Sequence, residues 1–294
     1  MCRPDRDDAV IRVAEEVRTA RAVVALETTI VAHGFPPGAG VEVGLESESE
    51  VRKAGAVPAT IGVLDGEIRI GLTPDELERF TPESRKVGPR DLAACVASGE
   101  TGATTVGGTL AAARQAGIRF LGTGGIGGVH RGHRFDVSAD LVELARTQVV
   151  VVSSGAKSLL DVDATAELLE TLGVPVLGWR TETLARFYDE AGGPAVSQRV
   201  DEAEDAAAIA AAHWELGGAG LLLANPPPES IDVDGLIETA LTEAEELGTT
   251  GQGLTPFVLA RLHEESGGLT LDANRKLAAA NARLAAEVAV AHAG

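Results

Sequence analysis

The stretch SSGAKSLLD, Ser153 to Asp161, places a lysine among small residues directly after the apolar run Val149–Val152. Lysine is uncommon in this chain. Of its 25 basic side chains only Lys53, Lys86, Lys157 and Lys276 are lysines. A partly desolvated amine close to other cations can lose its proton and attack a carbonyl to give an imine. A protonated lysine at the same place would hold phosphate, and the local residues do not separate the two readings. Glu27 ends the apolar segment Ala22–Leu26 and precedes TTIVAHGFP. That position suits general acid–base work, and equally an ordinary polar strand end.

Between Gly122 and Gly132 the loop GTGGIGGVHRG holds six glycines together with Thr123, His130 and Arg131. Its backbone amides could cradle phosphate, or it could be a plain surface turn. It is neither a Walker A motif nor a dinucleotide fingerprint, because it lacks G-K-[ST] and runs into HRGHR rather than into a helix. In the following FDVSADL, Ser138 is an expected helix N-cap whose hydroxyl and nearby amides could meet an anion, and Asp140 supplies early-turn charge to the helix. Asp136 lies between loop and helix, where a lone carboxylate could join water and substrate oxygens around a divalent ion. Lys86 and Arg90 bracket Gly88-Pro89 as a phosphate clamp or a solvated pair. His33 reads as a ligand or a hydrogen-bonded loop residue. Asn274 and Asn281, seven apart, share a face of the last helix, as packed polar contacts, ligand-binding amides or surface residues.

These residues need elements to position them. Short apolar runs at 22–26, 58–64, 104–106, 120–121, 149–152, 174–178 and 219–224 predict strands. Helical patterns separate them at 38–55, 89–98, 107–116, 138–146, 161–172 and 201–217. Asp65-Gly66 between 58–64 and 67–70 signals a hairpin, and TPDE from Thr73 a capped helix start. Helices near 233–247, 254–265 and 270–291 finish the chain. This alternation predicts an α/β class fold, a three-layer α/β/α arrangement with a largely parallel central sheet and a small antiparallel hairpin. We expect one domain over 1–294, ending in a helical segment from about 233. In such sheets ligands sit beyond the carboxyl ends of the strands. Glu27, the 122–132 loop, Lys157 and Asn225 all follow strands, so they are expected on one rim.

The formal charge of −19 argues against polymeric nucleic acid and anionic membranes as partners. An anionic small molecule would need a local positive site. Cys2 and Cys95 form no disulfide or zinc framework. No apolar run reaches membrane-spanning length and MCRPDRDD is no signal segment, which makes the cytoplasm the expected location.

Taken in order, ETTIVAHG from Glu27, PATIGV from Pro58, KV at Lys86, GGIGGVHRG from Gly124, SADL from Ser138, SSGAKS from Ser153 and TPF from Thr255 resemble the pseudouridine-5′-phosphate glycosidase family. The resemblance covers nearly the whole chain. It implies reversible cleavage of the carbon–carbon bond of pseudouridine 5′-phosphate to uracil and ribose 5-phosphate, by ring opening and a lysine imine. Protonating a leaving glycosidic oxygen, the usual glycosidase device, cannot serve a C-glycoside. By motif match Lys157 becomes the nucleophile and Glu27 the acid–base residue. Lys86, Val106, His130, Ser138, Ala139, Asp140 and Asn281 become substrate-binding positions, and Asp136 a manganese (Mn2+) ligand. The resemblance also implies a homotrimer. The chain departs from the family pattern in HRGHRFD from His130, in GQG from Gly251 and in NPPPE from Asn225. These departures touch the choice of base more than the reaction. A related C-glycosidase or sugar-phosphate lyase with another base, and a non-catalytic nucleotide-binding protein, are the competing readings.

Overall fold

The computed structural model describes residues 10–36, 38–131, 136–190, 192–249 and 253–294. In chain order its elements are β1 (Ile11–Val13), α1 (Glu15–Thr19), β2 (Val23–Glu27), α2 (Thr29–His33), α3 (Ala39–Lys53), β3 (Val57–Leu64), β4 (Glu67–Ile70) and α4 (Pro74–Leu77). Then come β5 (Arg85–Val87), α5 (Leu92–Ser98), β6 (Gly102–Thr104), α6 (Val106–Gln115), β7 (Phe120–Gly122), β8 (Val129–His130), α7 (Ala139–Leu144), β9 (Val150–Ser153) and β10 (Leu160–Asp161). The chain ends with α8 (Val162–Thr171), β11 (Val176–Trp179), β12 (Gln198–Val200), α9 (Ala203–Glu215), β13 (Leu221–Ala224), α10 (Asp234–Glu246), α11 (Leu254–Glu265) and α12 (Leu269–Ala293).

The main sheet runs β1-β4-β3-β2-β7-β9-β13-β11-β12, with β6 also on β3 and β5 on β6. From β3 to β12 along this order every pairing is parallel. β3 meets β4 and β6 antiparallel. The hairpin forms at the expected place, with Asp65 at φ 53° and Gly66 at φ 78°, the positive values a two-residue hairpin turn requires. Thr73 and Glu76 close the expected capping box on α4.

Alternate strand residues enter opposite cores. Ala25, Leu121, Val151 and Leu222 pack on one face, and Leu26, Phe120, Val152 and Leu223 on the other with α9 and α12. A sheet covered on both sides needs apolar residues at every position, which is why these strands read as unbroken runs. Alanine-rich α12 lies unusually close to the sheet, since a Cβ on Gly122 would sit 2.8 Å from Ala282 Cα. Among the described residues no helix is long and apolar enough to cross a membrane.

Boundaries moved where hydroxyls compete with strand formation. The strand expected over 104–106 is β6, which stops at Thr104, because the Thr105 side chain accepts from Gly108 N and starts α6 at Val106. The short strands β1, β5, β8, β10 and β12 were not foreseen, being too brief to carry a period.

Candidate active site

One register row crosses the sheet through Leu26, Gly122, Val152, Leu223 and Leu177. Glu27, Thr123, Ser153 and Ala224 follow it by one residue, so the carboxyl ends of four strands finish level. Beyond them opens a cavity of about 450 Å³. Nine of the ten predicted site residues line it: Glu27, Lys86, Val106, His130, Asp136, Ser138, Ala139, Asp140 and Lys157. The tenth, Asn281, is fully buried behind the wall. Its amide nitrogen donates to Thr123 O, Gly124 O and Ser154 Oγ, and its oxygen accepts from Asn225 Nδ2 at 2.9 Å. Asn281 therefore ties three strand ends together rather than facing the cavity. Its helical neighbour Asn274 is the one that reaches the wall, with its amide against His263 Nε2 at 3.2 Å.

The loops after β7 and β9 pair with one another and thereby fix Lys157. Ser154 N donates to Gly124 O, Ile126 N to Gly155 O and Lys157 N to Ile126 O, at 2.9, 3.0 and 3.1 Å. β8 and β10 extend this as a two-stranded sheet, and Arg131 donates to the carbonyls of Ser158 and Leu160. The lysine's main chain is thus held from both sides before any ligand arrives.

The glycines of the 122–128 loop serve close packing. None has a positive φ. A Cβ on Gly127 would lie 2.3 Å from Ser138 Oγ, and one on Gly128 2.3 Å from Thr165 Oγ1. The amides of Thr123, Ile126, Gly127, Val129 and His130 already donate within the protein. These loop amides are therefore spent internally, as are Gly107 N, Gly108 N and Asp140 N at the starts of α6 and α7, and an anion in this cavity falls chiefly to side chains.

Asp140, 6% exposed, is a brace. It accepts from Gly107 N at 2.7 Å and from Gly127 N at 2.9 Å, joining the first turn of α6 to the glycine loop. Ser138 caps α7 as expected, accepting from Asp140 N. Glu27, 5% exposed, accepts from the hydroxyls of Thr29 and Thr123, one donor on each carboxylate oxygen. Nothing in the sequence singled out Thr29; only the fold brings it, two residues on, back onto the acid. Phe35 and Phe187, two of only six phenylalanines, also line the cavity.

Against an overall charge of −19 the cavity collects Lys86, Lys157, Arg90, His33 and His130. Burial pulls Lys86 below the usual lysine range, the Lys157 ammonium pulls it further, and Asp140 and Glu27 oppose. His33 is lowered by burial and by Lys86, and its Nε2 sits 3.1 Å from Ser84 O. Arg90 stands mostly exposed at the mouth, beside Asp91.

A manganese ion takes hard oxygen ligands. Asp136 lines the cavity, while both oxygens of Asp140 are occupied by backbone amides. Among the described residues no group of three or more His, Cys, Asp and Glu converges on a metal position. This donor set fits a cation held by one carboxylate and completed by water and ligand oxygens, not a closed protein cage.

A family model described as "Indigoidine synthase A like protein" matches residues 12–291. The chain is 48% identical over 292 residues to the pseudouridine-5′-phosphate glycosidase of Nocardioides sp. (strain ATCC BAA-499 / JS614), covering 96% of this chain and 95% of that one. The chain belongs to the pseudouridine-5′-phosphate glycosidase family. Identity to the family member of Escherichia coli (strain K12) is 44%, over 94% of this chain and 92% of that one. Among solved structures, an indigoidine synthase A-like protein from Thermotoga maritima superposes with TM-score 0.89 at 39% identity, covering 99% of both chains. The prealnumycin C-glycosynthase AlnA, in complex with ribulose 5-phosphate, gives TM-score 0.87 at 41% identity, covering 97% of this chain and 98% of that one. Of the departures noted above, Gly251 and Gln252 and most of the 130–136 segment lie outside the described residues.

Proposed function

We propose that the chain reversibly converts pseudouridine 5′-phosphate and water to uracil and D-ribose 5-phosphate, with Lys157 as nucleophile and Glu27 as acid–base residue. The observation that carries this reading is that one cavity receives both side chains, from the ends of two strands, β2 and β9, that flank β7, and also holds the half-buried Lys86. The Lys157 amine bonds to C1′ as the C1′–O4′ bond breaks, and Glu27 supplies the proton that the ring oxygen takes. Glu27, now ionised, takes a proton from the nitrogen of the new C1′–N bond and delivers it to C5 of the base, and C1′–C5 then breaks as the freed nitrogen lone pair forms the imine. Water hydrolyses the imine, which releases ribose 5-phosphate and returns the amine. Borohydride reduction in the presence of ribose 5-phosphate, followed by peptide mapping, tests the nucleophile. An adduct at Lys157 supports the reading, and an active preparation without one overturns it.

Lys86, His130 and Ser138 would take the phosphate and ribose oxygens, Val106 and Ala139 the contacts at the helix starts, and Asp140 the bracing of both. Lys86 must be charged to hold a phosphate. Because its pKa is below the usual lysine value, affinity for ribose 5-phosphate is expected to fall with rising pH before an ordinary lysine titrates. In Lys86→Arg that bend should vanish, since a guanidinium stays charged. Calorimetric titration across the alkaline range checks it, and identical profiles would refute it.

A manganese ion, if bound, would be held by Asp136 and would neutralise charge on substrate oxygens. Asp136→Asn is expected to weaken manganese binding at least tenfold, read by calorimetry or by the metal concentration needed to restore activity after chelation. Activity unaffected by both treatments would remove the metal from the reading. The homotrimer, the cytoplasmic location and the exclusion of polymeric nucleic acid are proposed with it, on the resemblance and on charge.

The likeness to a C-glycosynthase at 41% identity gives a second reading, the same imine chemistry with a different base. Competition between uracil and other planar acceptors in the synthetic direction decides between them.

A further inference from the structure

Phe187 sits in a conformation its side chain should avoid. Its φ is +68°, and Tyr188 N donates to Arg186 O at 2.9 Å across it. That is a three-residue γ-turn with a positive central φ, the rare and strained form. Glycine would adopt it freely, whereas a bulky aromatic there is an outlier. The residue is nevertheless 4% exposed and its ring borders the cavity.

The surrounding structure holds the turn against that strain. Phe187 N donates to Ser154 O at 2.9 Å, Arg186 bridges to Gly155, Arg186 N donates to Asp189 O and Ile231 N to Tyr188 O. Ser154 and Gly155 lie in the same loop as the lysine, separated from it by Ala156, so the turn and the Lys157 loop are joined. Gly155 itself needs φ +75°, and a Cβ there would strike Ala185 O at 1.9 Å. The ring is also located by its neighbours. A methyl on Gly125 would lie 2.6 Å from Phe187 Cδ2, 2.7 Å from its Cε2 and 3.3 Å from Lys157 Cγ. Tyr188 meets the ring edge-on at 4.8 Å from behind. Ring, glycine backbone and lysine stem therefore converge at one point.

We propose that Phe187 is a positioning residue for Lys157. Forced inward by the γ-turn, its ring walls the alkyl stem and restricts the directions in which the amine can be presented. This deepens the proposed function and rests on it, because it presumes that Lys157 forms the imine. Ordinary core packing would not call for an aromatic at positive φ. A side chain that must be pushed in from a turn, beside a flexible four-carbon stem, does call for it. Preset geometry of this kind acts on the rate of covalent bond formation and not on ligand affinity.

The test compares Phe187→Ala, Phe187→Leu and Gly125→Ala with the wild type. Measured quantities are the rate of borohydride-trapped imine at Lys157, kcat and KM, the dissociation constant for ribose 5-phosphate and Tm. Phe187→Ala is expected to slow trapping and kcat by about 10- to 100-fold, the scale of an ångström-sized misplacement, while the dissociation constant moves less than about threefold. Phe187→Leu should recover much of the rate. Gly125→Ala, which pushes the ring from the other side, should show the same split between rate and affinity. Unchanged trapping in Phe187→Ala would overturn the proposal while leaving the Lys157 reading intact. So would loss of rate and affinity together, in step with Tm, in all three variants. Absence of any adduct in active wild-type protein would overturn both.

Discussion

Lys157→Met is expected to lower kcat by about 10⁴-fold or more, the scale seen when a covalent nucleophile is deleted, while ribose 5-phosphate still binds. The main chain at this position is anchored by Lys157 N on Ile126 O and by the paired loops, so the substitution leaves the scaffold in place. Methionine retains the length of the stem beside Phe187, with sulfur in place of one methylene, and removes the amine. It also removes the neighbouring positive charge that helps hold Lys86 below the usual lysine range. Lys86 should then keep its proton to higher pH, and phosphate affinity should be unchanged or slightly improved. Loss of kcat with retained affinity is the signature of a group needed only for bond making. Lys86→Met should show the opposite pattern, with its main effect on KM. If Lys157→Met kept a few per cent of wild-type turnover, the imine mechanism would be wrong. If it lost affinity as strongly as rate, Lys157 would be a phosphate ligand, the alternative that local sequence left open.

The comparison of these two lysines also shows what the sequence made legible. Strand ends were readable because apolar runs stop abruptly at Glu27, at Gly122 and at Asn225. The rule that ligands gather beyond carboxyl ends then placed Glu27, the glycine loop and Lys157 on one rim. The structure puts Glu27, His130 and Lys157 on one cavity for this reason, whereas Val106 and Ala139, which also line it, were expected only from the family resemblance. What was not readable depends on contacts between segments far apart in the chain. Thr123 and Thr29 converge on Glu27 because β2 and β7 are neighbours and α2 begins with a tight turn. Asn274 and Asn281 share a helical face, yet two turns of advance carry one onto the cavity and the other behind the strand ends. The glycines of 122–128 look like a phosphate loop, but Ser138, Thr165 and Ala282 occupy the space where their side chains would be. Glycine reports close approach without saying by what. Phe187 gave no signal at all, since an aromatic in a loop is normal and its φ is set by tertiary hydrogen bonds.

Glu27→Gln is expected to keep the fold and lose about 10²- to 10⁴-fold in kcat, the usual range for a positioned acid–base group. Glutamine has the shape of glutamate, and its amide can still pair with both hydroxyls, one of Thr29 and Thr123 donating to the amide oxygen as before and the other reorienting to accept from the nitrogen. What it cannot do is carry a proton to the ring oxygen. That difference can be isolated, because free ribose 5-phosphate exposes an aldehyde without enzymatic ring opening, whereas the nucleotide does not. In Glu27→Gln, borohydride should still trap ribose 5-phosphate on Lys157 but should trap little or nothing from pseudouridine 5′-phosphate. A variant equally slow with both ligands would move Glu27 from ring opening to the proton transfers of imine formation itself. Near-native turnover would deny it any acid–base part. The split outcome alone requires a carboxyl group beside a preset amine, which is the arrangement that adjoining strands β2, β7 and β9 build by ending level.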